Sequence, residues 1–186
     1  MKISKRGEYA LRALMDIGIA KELGHNLVQI NELAKQERLP VKFLEQILTQ
    51  LKEAGYVDSK RGRYGGYYLK MAADRIRFGN VIRYIDGPLA PIACVSKTAY
   101  EPCTCPDEDH CGLRMLMLDV RNTISNILDR YTLADTVEVT LRKMRRDRVP
   151  LPLLGVLQPP IPSTKRYLRA DPQPLAPGKK PRTRNS

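Results

Sequence analysis

Nowhere in the 186 residues does an apolar run approach the 18 or more that cross a bilayer, and no charged, apolar, small-residue pattern of a secretory signal opens the chain. No membrane partner is expected, and a cytoplasmic location is. Only two histidines occur, neither beside a recognisable nucleophile motif, and no glycine loop of the phosphate-cradling kind is present. These absences argue against an enzyme. Acidic residues are also short, 20 against 32 Lys and Arg, which leaves a net charge of +12. That balance points to a polyanionic partner, nucleic acid first, although charge alone says nothing about fold. No internal repeat is visible, and a hydrophobic share of 42% is enough for one buried core.

The chain changes character at Val149. From there on it holds nine of the fourteen prolines and seven basic residues against the single acid Asp171. Residues 149–186 therefore read as a disordered basic tail. Before it, Ala10, Ala13, Leu14 and Ile17 mark one face of a first helix with Ser4 as its cap, and Ile30, Leu33 and Ala34 mark a short second one. Pro40 opens a third, in which Leu44, Ile47, Leu48 and Leu51 follow helical spacing up to Gly55. Two β-prone runs, 56–59 and 67–70, flank a basic, glycine-rich tip and predict a hairpin. Phe78, Val81, Ile82 and Ile85 give a fourth helix ended by Gly87-Pro88.

Beyond a cysteine-rich loop, Leu113, Met117, Val120, Ile124, Ile127 and Tyr131 alternate spacings of four and three. That heptad seam needs a partner surface, either its own domain or a second copy. Thr132 and Asp135 suggest a capping box for a last helix through about Met144. The expected fold is mainly α with a small β-hairpin, a winged helix-turn-helix plus a long dimerisation helix. Its expected divisions are a DNA-binding domain over 1–75, a connecting helix and cysteine loop over 76–112, and dimerisation helices over 113–148.

Three helices followed by a hairpin is the order of a winged helix, whose third helix can enter the major groove of double-stranded DNA. The polar face of that helix carries Lys42, Glu45, Gln46 and Thr49. Gln can pair with adenine, Glu can accept from cytosine, and Lys can reach guanine or phosphate. At the hairpin tip Lys60, Arg61 and Arg63 lie within four residues, beside glycines that allow close backbone approach. An Arg there suits a narrow minor groove.

Cys94, Cys103, Cys105 and Cys111 all fall within 18 residues. Clustered soft thiolates on one loop bind iron or zinc, and in a reducing compartment metal or redox sensing is a better reading than disulfides. Zinc sites favour two tight pairs, and only Cys103-Thr104-Cys105 is tight here. A thiol- or zinc-switched regulator and a basic electron carrier stay open beside an iron-sulfur protein.

The segments Phe43-Leu44-Glu45-Gln46-Ile47-Leu48, Leu51-Lys52-Glu53-Ala54-Gly55-Tyr56-Val57 and Arg61-Gly62-Arg63-Tyr64-Gly65-Gly66-Tyr67 resemble the signature of the Rrf-two superfamily of bacterial winged-helix transcriptional regulators. Gly7-Glu8-Tyr9-Ala10-Leu11-Arg12-Ala13-Leu14 and Tyr131-Thr132-Leu133-Ala134-Asp135 match in the same order, so the resemblance covers residues 1 to about 144. It implies a dimeric regulator of the IscR/NsrR type, with Glu45 and Gln46 on bases, Lys42 at a base-proximal position and Arg61 in the minor groove. Lys42 departs from a small polar residue found there in the family's cluster-synthesis regulators.

The resemblance also implies an iron-sulfur cluster, 2Fe-2S ahead of 4Fe-4S, held by Cys94, Cys105 and Cys111. The gap between the first two of these is lengthened and contains Cys103, which is a fourth ligand, a replacement or a spare thiol. Glu8 of the partner subunit is a further candidate ligand. Arg114 stands where some members use a ligating histidine, which disfavours that arrangement, and His110 lies close by.

Overall fold

A computed structural model describes residues 2–150. Most of the expected tail, residues 151–186, lies outside that range. The described part contains six helices and one two-stranded antiparallel sheet, in the order of a winged helix. The mainly α architecture with a small hairpin is thus as expected.

Helix α1 (Lys5–Glu22) begins where the Ser4 hydroxyl accepts the Gly7 N–H at 2.9 Å. It is the central helix, touching the second, third, fourth and last helices and the second strand. Small residues make that possible. Ala10, Ala13 and Ala20 are buried, and a Cβ on Gly18 would lie 2.9 Å from the Val137 side chain. Helix α2 (Ile30–Glu37) starts with the Gln29 N–H on the Glu32 carboxylate at 3.0 Å and stops at Arg38 in the left-handed region. Helix α3 (Val41–Glu53) follows Pro40. It buries Leu44, Ile47, Leu48 and Leu51 and leaves Lys42, Glu45, Gln46 and Thr49 in solvent.

Strands β1 (Val57–Lys60) and β2 (Gly66–Leu69) pair Val57 with Leu69 and Lys60 with Gly66. The hairpin sits one residue inside the expected runs because Tyr56 has other work. Its N–H closes α3 on the Leu51 carbonyl, and its own carbonyl takes the Lys70 N–H, both at 3.0 Å. Val28 in the α1–α2 connection exchanges two backbone hydrogen bonds with Tyr67 (2.8 and 3.0 Å), which ties the wing to the helical core. A Cβ on Gly66 would stand 2.6 Å from the Val28 carbonyl oxygen, so only glycine allows that approach.

Helix α4 (Phe78–Asp86) bridges two parts of the molecule. Asp86 accepts the Ser4 N–H (2.8 Å) and hydroxyl (2.5 Å), clamping the start of α1. One turn earlier, Arg83 makes a two-pronged pair with Asp129, 2.7 Å for each bond, near the end of helix α5 (Gly112–Arg130). A short 3-10 turn, Ala93–Val95, packs on α5 from the other end of the connection.

Helix α6 (Leu133–Asp147) is opened by the expected Thr132–Asp135 capping box and runs three residues past Met144. Arg145 and Arg146 in its last turn favour that extension, since cations suit the negative end of a helix. Leu133, Val137 and Leu141 enter the same core as α1 and α3. Grouped with α5 along the sequence, α6 is therefore packed with the winged-helix unit. Helix α5 is different: its one buried residue is Arg121, while Leu113 (57% exposed), Met115 (67%) and Leu116 (54%) face outward with Val120 and Ile127. The heptad seam stands largely open, and Met115 and Leu116 widen it. No helix among the described residues is long and apolar enough to cross a membrane.

Candidate nucleic-acid interface and metal centre

The polar face of α3 and the wing tip present their side chains without competition. Lys42, Gln46, Lys60 and Arg61 are exposed and have no hydrogen-bond or ion-pair partner among the described residues. Thr49 spends its hydroxyl proton on the Glu45 carbonyl at 2.9 Å, which leaves its oxygen lone pairs outward. Arg63 lies over the exposed Tyr64 ring, 5.8 Å from its centre. Lys52 bridges α3 to the wing, reaching Asp58 at 2.8 Å and Ser59 at 2.9 Å, and holds the Asp58 carboxyl below the usual range. These two contacts tie the last turn of α3 to the first strand of the hairpin.

Between α1 and α2 lies a feature that periodicity does not reveal. Asp16 on α1 and Glu37 on α2 are both more than nine-tenths buried, and the Asp16 Oδ2 lacks a hydrogen-bond partner among the described residues. The Glu37 Oε2 is met by Arg12 at 2.5 Å, and Arg12 is itself half exposed. Burial first, then the hydrogen bond and charge of Glu37, push the Asp16 carboxyl up to about 8 against the weaker pull of Arg12. Asp16 is thereby pushed toward its protonated form at neutral pH.

The cysteine loop brings together residues that the chain separates. Cys94 is buried in the Ala93–Val95 turn, Cys103 and Cys111 are half-buried, and Cys105 is exposed; all four thiols are free. Cys103 is the neighbour that Cys94 and Cys105 have in common. Burial and the adjacent Cys103 and Glu108 push the Cys94 thiol up. Cys105 rises further, to about 11, mainly through Cys103 and then through Cys111. A thiol raised so far is a poor nucleophile at neutral pH. Cys111 caps α5, its sulfur accepting the Arg114 N–H at 3.4 Å, so the positive end of that helix faces it.

Glu108 is the hub that sequence reasoning missed. Its carboxylate accepts the Tyr100 hydroxyl at 2.9 Å, meets the Cys103 sulfur at 3.8 Å, and pairs with Arg114 at 3.0 Å. Nothing in Asp107-Glu108-Asp109 marks which carboxylate turns inward. Asp107 instead engages His110, 2.6 Å between ring nitrogen and carboxylate, in a pair left in solvent and away from the thiols. Glu8 is held on its own helix by Lys5 at 2.7 Å and Arg12 at 3.7 Å, with its carboxyl kept low chiefly by Lys5.

Among the described residues no three His, Cys, Asp or Glu side chains gather closely enough to hold a single metal ion. A cluster of several irons distributes its thiolates over separate metal atoms, and four soft, free donors along one loop fit that demand.

A family model for Rrf2, iron-dependent transcriptional regulator, matches residues 3–139. The chain belongs to the Rrf2 family of transcriptional regulators. This Rrf2 protein is 38% identical over 135 residues to an Rrf2-like HTH-type transcriptional regulator of Rhodobacter capsulatus, a match spanning 72% of this chain and 90% of that one. It is 31% identical over 137 residues to the HTH-type transcriptional regulator IscR of Erwinia tasmaniensis, spanning 74% and 79%. The structure of CymR, the global cysteine regulator of B. subtilis, matches 75% of this chain and 98% of its own with a TM-score of 0.63 at 29% identity. The Rrf2 protein is thus a winged-helix DNA-binding regulator, from a family of regulators rather than enzymes. Its relatives include both IscR and a cysteine regulator, so family membership does not choose between their sensing chemistries.

Proposed function

We propose that this Rrf2 regulator acts as a homodimer on a specific double-stranded operator and senses iron, redox state or nitric oxide through a cysteine-ligated iron-sulfur cluster, 2Fe-2S in the first instance. The observation that carries the reading is that four free thiols lie along one loop that ends with Cys111 at the positive end of α5, the helix whose apolar face is otherwise open. Cys94, Cys105 and Cys111 would hold the cluster, which when bound supplies a link that oxidants, nitric oxide or iron shortage can dismantle.

The chain's own residues would relay that link. Cys111 starts α5, Asp129 at its far end is gripped by Arg83 on α4, and Asp86 on α4 clamps Ser4 at the start of α1. Changes at the loop thus have a continuous hydrogen-bonded route to the DNA-binding unit. Lys42, Glu45, Gln46 and Thr49 would read bases while Lys60, Arg61 and Arg63 follow backbone and minor groove. The exposed Leu113, Met115, Leu116, Val120 and Ile127 would be covered by a second copy of α5, which sets the two wings for neighbouring half-sites.

The test starts from protein purified without oxygen, with iron and acid-labile sulfide measured per subunit. Binding sites are then selected from a random duplex pool, and the winning duplex is titrated with loaded and metal-free protein at one salt concentration. A shift of roughly 5- to 150-fold between the two is expected, the usual range of coupling free energies. Superimposable curves would reduce the cluster to a structural role; stoichiometric zinc without sulfide would remove it from the account. On the same duplex, Arg61→Ala should cost about 1 to 3 kcal/mol and relax specificity, while Lys60→Ala weakens all sequences alike. Equal losses on selected and random DNA for both would reject a groove contact by Arg61.

A further inference from the structure

Resting on that reading, we infer that Cys103 is a cluster ligand, so that Cys94, Cys103, Cys105 and Cys111 complete the coordination inside one subunit without Glu8 of the partner subunit.

Position argues for it first. The thiol beside Cys94 is Cys103, and the thiols beside Cys105 are Cys103 and Cys111. Taking Cys103 away splits the set into an isolated Cys94 and a Cys105–Cys111 pair. The loop around Cys103 is also shaped to its sulfur: the Cys105 N–H points at it from 3.4 Å, and Glu108 meets it at 3.8 Å. A backbone N–H aimed at sulfur orients it as outer contacts orient a metal ligand. Glu108, which accepts from the Cys103 thiol, is itself paired with Arg114 at 3.0 Å. Glu108 and Arg114 are thus positioning residues.

Stoichiometry argues for it second. Both 2Fe-2S and 4Fe-4S clusters are completed by four cysteine thiolates. Three cysteines need an outside donor, whereas four do not. Glu8 would have to give up Lys5 and Arg12 to serve as that donor. Ligation by Cys103 needs no such exchange: the thiol proton leaves to solvent, a sulfur–iron bond forms, and no electron is transferred.

The test uses the full chain reconstituted anaerobically with ferric iron, excess thiol and sulfide, as wild type, Cys94→Ser, Cys103→Ser, Cys103→Ala and Glu8→Gln. Iron and sulfide per subunit, visible circular dichroism and the half-life of the absorbance under excess EDTA are read for each, with melting of the metal-free forms as the folding control. Both Cys103 variants should behave like Cys94→Ser, losing bound iron or shortening the EDTA half-life at least about tenfold in line with lost ligands, while Glu8→Gln matches wild type. Wild-type retention by the Cys103 variants, or loss on Glu8→Gln, overturns the four-cysteine set and leaves the cluster itself standing. Failure of wild type to take up iron and sulfide overturns the cluster reading and this inference with it.

Discussion

Replacing Glu37 by Gln tests the proton that the buried Asp16 on α1 keeps beside Glu37 on α2. In the wild type Asp16 keeps its proton to about pH 8, because it is buried and because Glu37 both bonds to it and repels its charge. In the unfolded chain the same group ionises near pH 4. Between those values the folded state binds more protons than the unfolded one, so stability falls as pH rises, by at most about 1.4 kcal/mol per unit for one proton. The contribution is complete below pH 4 and gone above about pH 8.

Gln keeps the shape, removes the repulsion and can donate an N–H to an ionised Asp16. The variant also loses the Arg12–Glu37 ion pair, but Arg12 is half exposed, which limits that loss to under about 1 kcal/mol. At pH 8 removal of a buried like-charge contact should win, leaving Glu37→Gln more stable by about 1 to 2 kcal/mol. At pH 5, where Asp16 is protonated in the wild type and the Glu37 repulsion is absent, the difference should shrink or reverse. Urea unfolding at pH 5, 6.5 and 8 reads both, and taking the difference between variants cancels every other titrating group. Parallel stability curves across that range would refute the influence of Glu37 on the Asp16 proton.

Three further outcomes test the packing. Gly66→Ala drives a Cβ into the Val28 carbonyl and should cost about 1 to 3 kcal/mol in thermal unfolding and weaken DNA binding through the wing; an unchanged melt would show that the wing is not seated on that carbonyl. Leu116→Glu places a charge on the open face of α5 and should yield a monomer by sedimentation equilibrium with unaltered far-UV circular dichroism, whereas a persistent dimer would locate the interface elsewhere. Asp86→Ala removes both bonds to Ser4 and should lower stability by about 1 kcal/mol, with faster amide exchange at Gly7; exchange confined to wild-type rates would show that Asp86 does not hold the start of α1.

The winged-helix order was legible without coordinates because its signals are local. Helical spacing in Leu44, Ile47, Leu48 and Leu51, the capping pair Thr132 and Asp135, and Gly55 past α3 each act within a few residues, where backbone sterics and side-chain reach decide the outcome. The outward polar face of α3 follows from the same periodicity, since burying one stripe exposes the other. The concentration of four cysteines in one loop was equally plain as composition.

Spacing could not rank those cysteines, because eight residues separate Cys94 from Cys103 and only the folding of the loop makes Cys103 a neighbour of both Cys94 and Cys105. Nor could it choose Glu108 over Asp107 and Asp109, which are chemically equivalent until the loop folds Tyr100 and, from the first turn of α5, Arg114 against one of them. Helix α6 carries an amphipathic pattern that says it must bury a face but not against what, and α1 supplies the answer through the space left by Gly18. The Asp16–Glu37 pair is invisible for the same reason: a carboxylate acquires an unusual proton affinity only when tertiary packing removes its water and sets another carboxylate beside it.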